Sequence, residues 1–186
     1  MSVTLSAAES PAHDRLTSLL DARRDLLGRD HDGYANHCHR VLTFCLALRP
    51  ACTDEEQEKI AIAVCFHDLG LWSDNTLDYL PPSAELAAVY LRETGREDWV
   101  EEVCLMVTEH HKARAVSDAR YPLVELFRQA DLVDFSLGAF TAGLPRDVIS
   151  AAKARYPNAG FHAMLMRRSA GWLLRHPLNP LPMMKW

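Results

Sequence analysis

A ten-residue run, IAIAVCFHDL from Ile60 to Leu69, ends an apolar segment with an adjacent histidine and aspartate, His67 and Asp68. Burying a carboxylate without a partner costs free energy or forces its protonation. An aspartate at the end of so apolar a helix therefore needs a cation or several hydrogen-bond donors nearby. A divalent metal ion is the strongest such partner, so the pair predicts one corner of a metal site.

The dipeptide His-Asp occurs three times in this sequence, and its context must select the functional copy. His13-Asp14 falls in a first helical turn that reads as exposed, and His31-Asp32 falls in a polar loop. Both pairs are predicted at the surface. Only His67-Asp68 follows an unbroken apolar helix.

Two adjacent residues cannot surround an ion, so the site needs ligands from other helices. At about 100° per residue, His37 falls on the apolar stripe of residues 34–48, whereas His39 points almost opposite to it. A lone histidine on an apolar face is more often a satisfied core residue, but an inward His-Asp pair elsewhere favours a ligand. For the last carboxylate, Asp131 and Asp134 both follow the apolar stripe of their helix, and periodicity does not separate them.

Residues typical of helix starts and helix ends occur along most of the chain. No segment shows the alternation of polar and apolar residues that predicts a strand. Thr53 to Glu56 forms a capping box that starts the helix carrying His67 and Asp68. Ser83 is expected to cap the helix that follows the loop 70–82. The predicted helices cover about 10–28, 34–48, 53–68, 83–95, 97–111, 121–131, 145–155 and 161–176. The pattern predicts one all-α domain over residues 1–186, an irregular helical bundle.

The composition and net charge of the chain limit the kinds of partner that it is expected to bind. The chain has 186 residues, 48% of them hydrophobic and 24% charged, which is typical of one soluble globular domain. With a net charge of -5, the chain lacks the positive electrostatic potential that attracts a nucleic acid polymer. Residues 1–14 lack a signal-peptide pattern, and no run approaches about 18 apolar residues. A cytoplasmic protein without membrane contact is expected, acting on a small molecule.

The ordered set of residues resembles the HD-domain superfamily of metal-dependent phosphohydrolases. The resemblance rests on His37-x-x-Arg40-Val41, then His67-Asp68, then Ala130-Asp131, over about residues 34–134, with residues 145–186 forming C-terminal helices and a tail. It implies an HD-type fold and the metal ligands His37, His67, Asp68 and Asp131. It also favours Asp131 over Asp134, because the family's last ligand is the aspartate that follows alanine.

The sequence departs from the family pattern after the His-Asp pair. Many members carry an acid there, often as HDxxE, whereas this chain reads HDLGLWSD. The nearest acids are Asp74 and Asp78, which join Asp68 as candidate catalytic residues. Either could orient water or protonate a leaving group, and either could equally be a loop aspartate bonded to nearby backbone.

Dinuclear members of the family add two histidines between the His-Asp pair and the last aspartate. This chain offers His110 and His111 at a helix end, but Ser83 stands where a further histidine is expected. One divalent ion is therefore favoured over two, with Mn, Fe, Co, Ni, Zn and Mg all open. His110 and His111 could contact substrate, supply one adjustable ligand, donate protons, or simply suit a helix C-terminus.

Cations near the predicted ion are candidates for holding a phosphoryl group. Arg40 lies one turn from His37, and Lys112 and Arg114 follow His111. A charged flank at a helix end can equally be solvated. The loop 71–82, with its aromatic and proline residues, is predicted to set specificity.

The first functional hypothesis is a metal-dependent phosphohydrolase that acts on a small phosphomonoester or nucleotide through a metal-activated water. The second keeps the metal but changes the chemistry, because the HD scaffold also resembles that of nitrile hydratases and iron oxygenases. The third is a non-catalytic HD module that binds a ligand. The tail 176–186 is expected to pack irregularly or to support homo-oligomer contacts.

Overall fold

In a computed structural model that describes residues 10–184, the chain forms α-helices and short 3-10 turns, with no strand in that range. The helices are α1 (Pro11–Asp21), α2 (Arg24–Leu27), α3 (His31–Leu48), α4 (Asp54–Phe66), α5 (Gly70–Ser73), α6 (Leu80–Glu93), α7 (Val100–Glu109), α8 (Pro122–Phe135), α9 (Arg146–Arg155) and α10 (Phe161–Arg175). The 3-10 turns cover Gly28–Asp30 and Glu97–Trp99. The all-α prediction is confirmed.

Helix α4 is the centre of the bundle. It packs against α1, α3, α6, α7 and α8, and residues 60–66 are all buried. A helix that is apolar on every side is stable only when other elements surround it, and each large side chain contributes about 1.5–3 kcal/mol of burial free energy. The last turn of α4 therefore delivers His67 and Asp68 into the interior.

The start of α4 is specified by its predicted capping box. The Glu56 backbone N–H donates to Thr53 Oγ1 at 3.2 Å, and the Thr53 N–H donates to Glu56 Oε2 at 2.8 Å. These bonds satisfy two amide groups that have no partner inside the helix. Because the first turn of α4 is polar and its last turns are buried, the helix runs from the surface into the core.

Two predicted helix starts and one predicted continuous helix are corrected by the structure. The predicted helix 10–28 breaks after Asp21, where the Arg23 guanidinium donates to the Leu19 carbonyl at 2.7 Å and lies 4.1 Å from the Phe66 ring centre. Helix α3 begins at His31 rather than residue 34. Helix α6 begins at Leu80, because prolines in a first turn lose no intrahelical hydrogen bond. Ser83 is therefore inside the helix and does not cap it.

Two of the three His-Asp pairs differ from the surface prediction. His13 and His31 are buried, although Asp14 and Asp32 beside them are exposed. Adjacent helical residues point about 100° apart, so one member of each pair faces the core and the other faces solvent. The prediction of exposure was wrong for the histidines only.

The tail follows an irregular path after α10, and its Met183 packs with Leu71, Leu77, Tyr79 and Leu80. Residues 1–9 and 185–186 lie outside the described part of the chain, as does most of the segment tested for a signal peptide. Within residues 10–184, every helix is too short or too polar to cross a bilayer.

Candidate metal centre

Four helices bring the predicted ligands together. His37 comes from the middle of α3, His67 and Asp68 follow α4, Asp131 lies on α8, and His110 follows α7. Each of the five residues is at most 4% exposed. The structure thus gathers the four ligands implied by the family resemblance and adds His110 to the same cluster, which we call the His-Asp cluster.

The ligand atoms of the His-Asp cluster lie at separations that one ion can span. The distances are 3.0 Å from His37 Nε2 to His67 Nε2, 3.5 Å from His37 Nε2 to Asp131 Oδ1, 3.8 Å from His67 Nε2 to Asp131 Oδ1, 3.4 Å from His67 Nε2 to Asp68 Oδ2, and 3.9 Å from His37 Nε2 to Asp68 Oδ2. Atoms that bind one ion at about 2.1 Å stand about 3.0 Å apart in octahedral and about 3.4 Å apart in tetrahedral geometry. The donor set therefore fits a metal ion.

The hydrogen bonds of the three histidines select the tautomer that binds metal. His67 Nδ1 donates to the Val64 carbonyl and His110 Nδ1 to the Val107 carbonyl, both at 2.7 Å. His37 Nδ1 donates to the Asp134 carboxylate, also at 2.7 Å. With the proton on Nδ1, each Nε2 presents a lone pair to the cluster. Metal-binding histidines are commonly fixed by such second partners.

This tautomer leaves buried polar atoms that need a cation. His37 Nε2 and His67 Nε2 lie 3.0 Å apart with no proton to share. Asp68 Oδ1 and His110 Nε2 are both buried without a hydrogen-bond partner, and they lie 3.5 Å apart. Buried polar groups are normally paired, so unpaired atoms in one place indicate a missing partner. A divalent ion between His37, His67 and Asp68 would satisfy the atoms of these three residues.

The two carboxylates of the cluster differ in their proton affinity. Burial raises the pKa of Asp131 to about 6. Burial acts in the same direction on Asp68, but the neighbouring His67 and His110 hold the pKa of Asp68 well below its usual range. Burial lowers the pKa of His67 to about 3, which keeps its ring neutral and able to bind metal.

Asp134 and Arg40 form a second layer behind His37. The Arg40 guanidinium is buried, donates to both oxygens of Asp134, and donates to the Tyr156 carbonyl at 2.7 Å. Against its burial, the hydrogen bonds from Arg40 and His37 lower the pKa of Asp134. Arg40 thus orients Asp134, and this placement does not support the prediction that Arg40 binds substrate.

The role of Asp134 was missed by the sequence reasoning, although a signal existed. Asp131 and Asp134 are three residues apart on α8, so both point from one face of the helix. A second missed contact is the Phe161 ring, which stacks on His37 with centroids 4.3 Å apart. Aromatic residues have no spacing signature that links α10 to α3.

The residues after α7 occupy three different environments. His110 is in the cluster, His111 is half-buried beside it, and His110, His111 and Asp131 each offer a ligand atom within 4.8 Å of the others. Lys112 pairs with Glu109 at 3.0 Å, and Arg114 is exposed. The structure therefore supports a role at the site for the histidines and gives no support for the two cations.

The predicted acids Asp74 and Asp78 lie at the surface. Ser73 Oγ donates to Asp74 at 2.7 Å, and the Asp78 backbone N–H donates to Thr76 Oγ1 at 3.1 Å. These are the local loop bonds of the alternative interpretation. Leu71 stands at the acid position of HDxxE and is fully buried. The geometry gives no support to either aspartate as a catalytic acid.

A family model described as HD domain matches residues 34–136, more than half of the chain, and the protein belongs to this family. HD domains are generally metal-dependent hydrolases, and the buried cluster is compatible with metal binding. No curated protein and no solved structure matches the chain. The predicted family is confirmed.

Proposed function

We propose that this HD-domain protein is a metal-dependent phosphohydrolase that uses one divalent ion held by His37, His67, Asp68 and Asp131. The observation that carries the proposal is the pair of groups that each ligand histidine faces: Nδ1 of His67 and of His37 meets a carbonyl or carboxylate acceptor, which assigns the proton to Nδ1 and leaves Nε2 facing buried carboxylates. Mixed imidazole and carboxylate ligands suit Mn, Fe, Co, Ni or Zn, and Mg remains a candidate.

A bound divalent ion would lower the pKa of a coordinated water towards neutrality and offset the charge of phosphoryl oxygens. The protein supplies the geometry. Arg40 holds Asp134, and Asp134 holds the His37 ring in its ligand orientation. His110 Nε2 lies 3.5 Å from Asp68 Oδ1, where it is placed to exchange a proton with a group at the cluster.

The burial of the cluster supports a small substrate. The four proposed ligands are nearly inaccessible, and His111 beside them is partly exposed. A rigid nucleic acid polymer could not reach such a site, and the net charge of -5 would not attract one. A small phosphomonoester or a nucleotide fits both constraints.

The proposal is tested by measuring metal content after purification without chelator, followed by phosphate release from a panel of phosphomonoesters and nucleotides with each ion. We expect one ion per chain and ion-dependent phosphate release. His67→Ala and Asp68→Asn should remove both, whereas Asp14→Asn, at the exposed aspartate of the His13-Asp14 pair, should change neither. Full turnover in both cluster variants would refute this placement of the site.

A second candidate is an HD-scaffold iron oxygenase with two ions, and one observation favours it. Asp68 Oδ2 lies 3.4 Å from His67 Nε2, while Asp68 Oδ1 lies 3.5 Å from His110 Nε2. An aspartate that bridges two ions would face two histidines in this way. Two irons per chain and oxygen consumption would favour this candidate, whereas one ion with phosphate release would favour the hydrolase.

A further inference from the structure

The segment after the His-Asp pair packs unusually close to it. A Cβ on Gly70 would lie 2.4 Å from the Tyr79 carbonyl oxygen and 2.8 Å from Pro82 Cγ, so only glycine fits this approach. The Gly70 N–H donates to Ser83 Oγ at 2.9 Å, which ties the turn after Asp68 to the start of α6. The glycine therefore allows Tyr79 to enter the site from the loop.

The Tyr79 side chain reaches the side of the His-Asp cluster where His111 is partly exposed, which we call the accessible edge. The residue is 2% exposed, and its hydroxyl lies 2.5 Å from His111 Nε2. Its ring centre is 6.3 Å from that of His110. The Tyr79 hydroxyl can therefore act as a hydrogen-bond donor at this edge of the cluster.

We propose that Tyr79 and His111 form a substrate-positioning pair that binds a phosphoryl oxygen at the accessible edge of the His-Asp cluster. The inference rests on the proposed hydrolase function and identifies residues that would bind its substrate. A phosphoryl oxygen is a stronger acceptor than a neutral imidazole, so the phenol proton can turn from His111 to the substrate. Lys112 and Arg114 are less well placed to bind this oxygen, because Lys112 pairs with Glu109 and Arg114 is exposed.

The pair is tested by titrating inorganic phosphate into the full chain loaded with Mn²⁺, with calorimetric detection. Tyr79→Phe removes one hydroxyl and keeps the ring. We expect it to weaken phosphate binding about tenfold or more, the effect of losing a hydrogen bond to a charged group. Its affinity for Mn²⁺ should match that of the unmodified chain.

Tyr90→Phe is the matched control, because the Tyr90 hydroxyl accepts a hydrogen bond from Arg15 and its ring packs on Phe66. This variant should bind phosphate normally. His111→Gln should show the same weakening as Tyr79→Phe, and the double variant should lose little more than either single variant, because coupled partners are not additive. Thermal melting establishes that each variant is folded.

The outcomes separate this inference from the function on which it rests. Unchanged phosphate affinity in folded Tyr79→Phe, with hydrolysis retained in the unmodified chain, would overturn the pair and leave the hydrolase proposal intact. Loss of Mn²⁺ affinity in Tyr79→Phe would also overturn it, because Tyr79 would then support the metal. Absence of both phosphate binding and phosphate release in the unmodified Mn²⁺-loaded chain would refute the hydrolase itself and the pair with it.

Discussion

Helix α3 carries two buried histidines that face different regions. His37 Nδ1 donates to Asp134 at 2.7 Å, and its Nε2 lies 3.5 Å from Asp131 Oδ1. His39 stacks on His13 and on Tyr156, with ring centroids 5.5 and 4.8 Å away. Both histidines are at most 8% exposed. Burial of an imidazole therefore does not mark a metal site, whereas the groups around it do.

The two regions also differ in where the proton sits on the ring. The Thr43 hydroxyl donates to the His39 carbonyl at 2.7 Å, so at 3.1 Å it accepts from His13 Nε2. His13 thus carries its proton on Nε2, and its Nδ1 lies 3.0 Å from Ser10 Oγ. Both of its nitrogens are satisfied by hydroxyl groups. The cluster histidines carry the opposite tautomer and turn Nε2 towards carboxylates, which is what a ligand requires.

The largest effect should come from exchanging the two histidines of α3 for glutamine, one at a time. His37→Gln should weaken metal binding by more than the 10–100-fold typical of an outer partner, because it removes a ligand. His39→Gln should bind metal normally and lose about 1–3 kcal/mol of unfolding free energy. Metal titration and chemical denaturation measure the two effects. An equal loss of metal affinity in both variants would contradict the inference that His37 binds metal and His39 does not.

The next effect concerns the pH dependence of the metal-free protein. Burial raises the pKa of Asp131 to about 6 in the folded state, above its ordinary value of 3.8. Its stabilising contribution is therefore present below the unfolded pKa and is lost as pH rises through about 6. His67, with its pKa lowered to about 3, acts in the opposite direction, so the effect of Asp131 is read against Asp131→Asn, whose side chain does not titrate. Relative to that variant, the unfolding free energy of the unmodified protein should fall by a few kcal/mol between pH 4 and pH 7, and identical pH profiles would contradict the assignment.

A smaller effect is expected from the carboxylate behind His37. Asp134→Asn removes the charge that orients the His37 ring and pairs with Arg40. Metal affinity should fall about 10–100-fold, as for other outer partners of ligand histidines. Asp32→Asn is the control. Asp32 is also hydrogen-bonded to a histidine, His31, but it is exposed and lies in a His-Asp pair outside the cluster. A drop of equal size in the control would contradict the proposed role.

The smallest effect should be seen at Thr43, on the other side of α3. Thr43→Val removes the hydroxyl that accepts from His13 and donates to the His39 carbonyl. We expect a loss of about 1 kcal/mol in unfolding free energy and no change in metal affinity. Denaturation curves and metal titration of the same preparation check both statements. A measurable change in metal affinity would mean that the two regions are coupled through α3.

Several elements could be predicted from the sequence because their cause is local. The capping box at Thr53 and the apolar run that follows define α4, and the structure shows both as expected. The helical period placed His37 inward, and the order of motifs matched the HD domain found over residues 34–136. The capping box and the helical period depend on residues close together in the chain, whereas the order of motifs was compared with that of a known family.

Other features failed or were missed because their cause is distant. Arg40 and Asp134 are 94 residues apart, so no local pattern links them. The Ser83 capping prediction failed because α6 begins at Leu80, so Ser83 lies inside the helix, where its hydroxyl accepts from Gly70, 13 residues earlier. His13 was predicted at the surface because its burial depends on rings from α3 and Tyr156.

The sequence by itself determined the family, the helical scaffold and the residue types that converge at the end of α4. Only the tertiary structure decided the tautomer of each histidine, the orienting role of Asp134 and the arrival of Tyr79 at the cluster. The physical reason is that a sequence period reports where a side chain points from its own helix. It does not report which donor, acceptor or ring the opposing element places there, and hydrogen bonds with that element fix the chemistry.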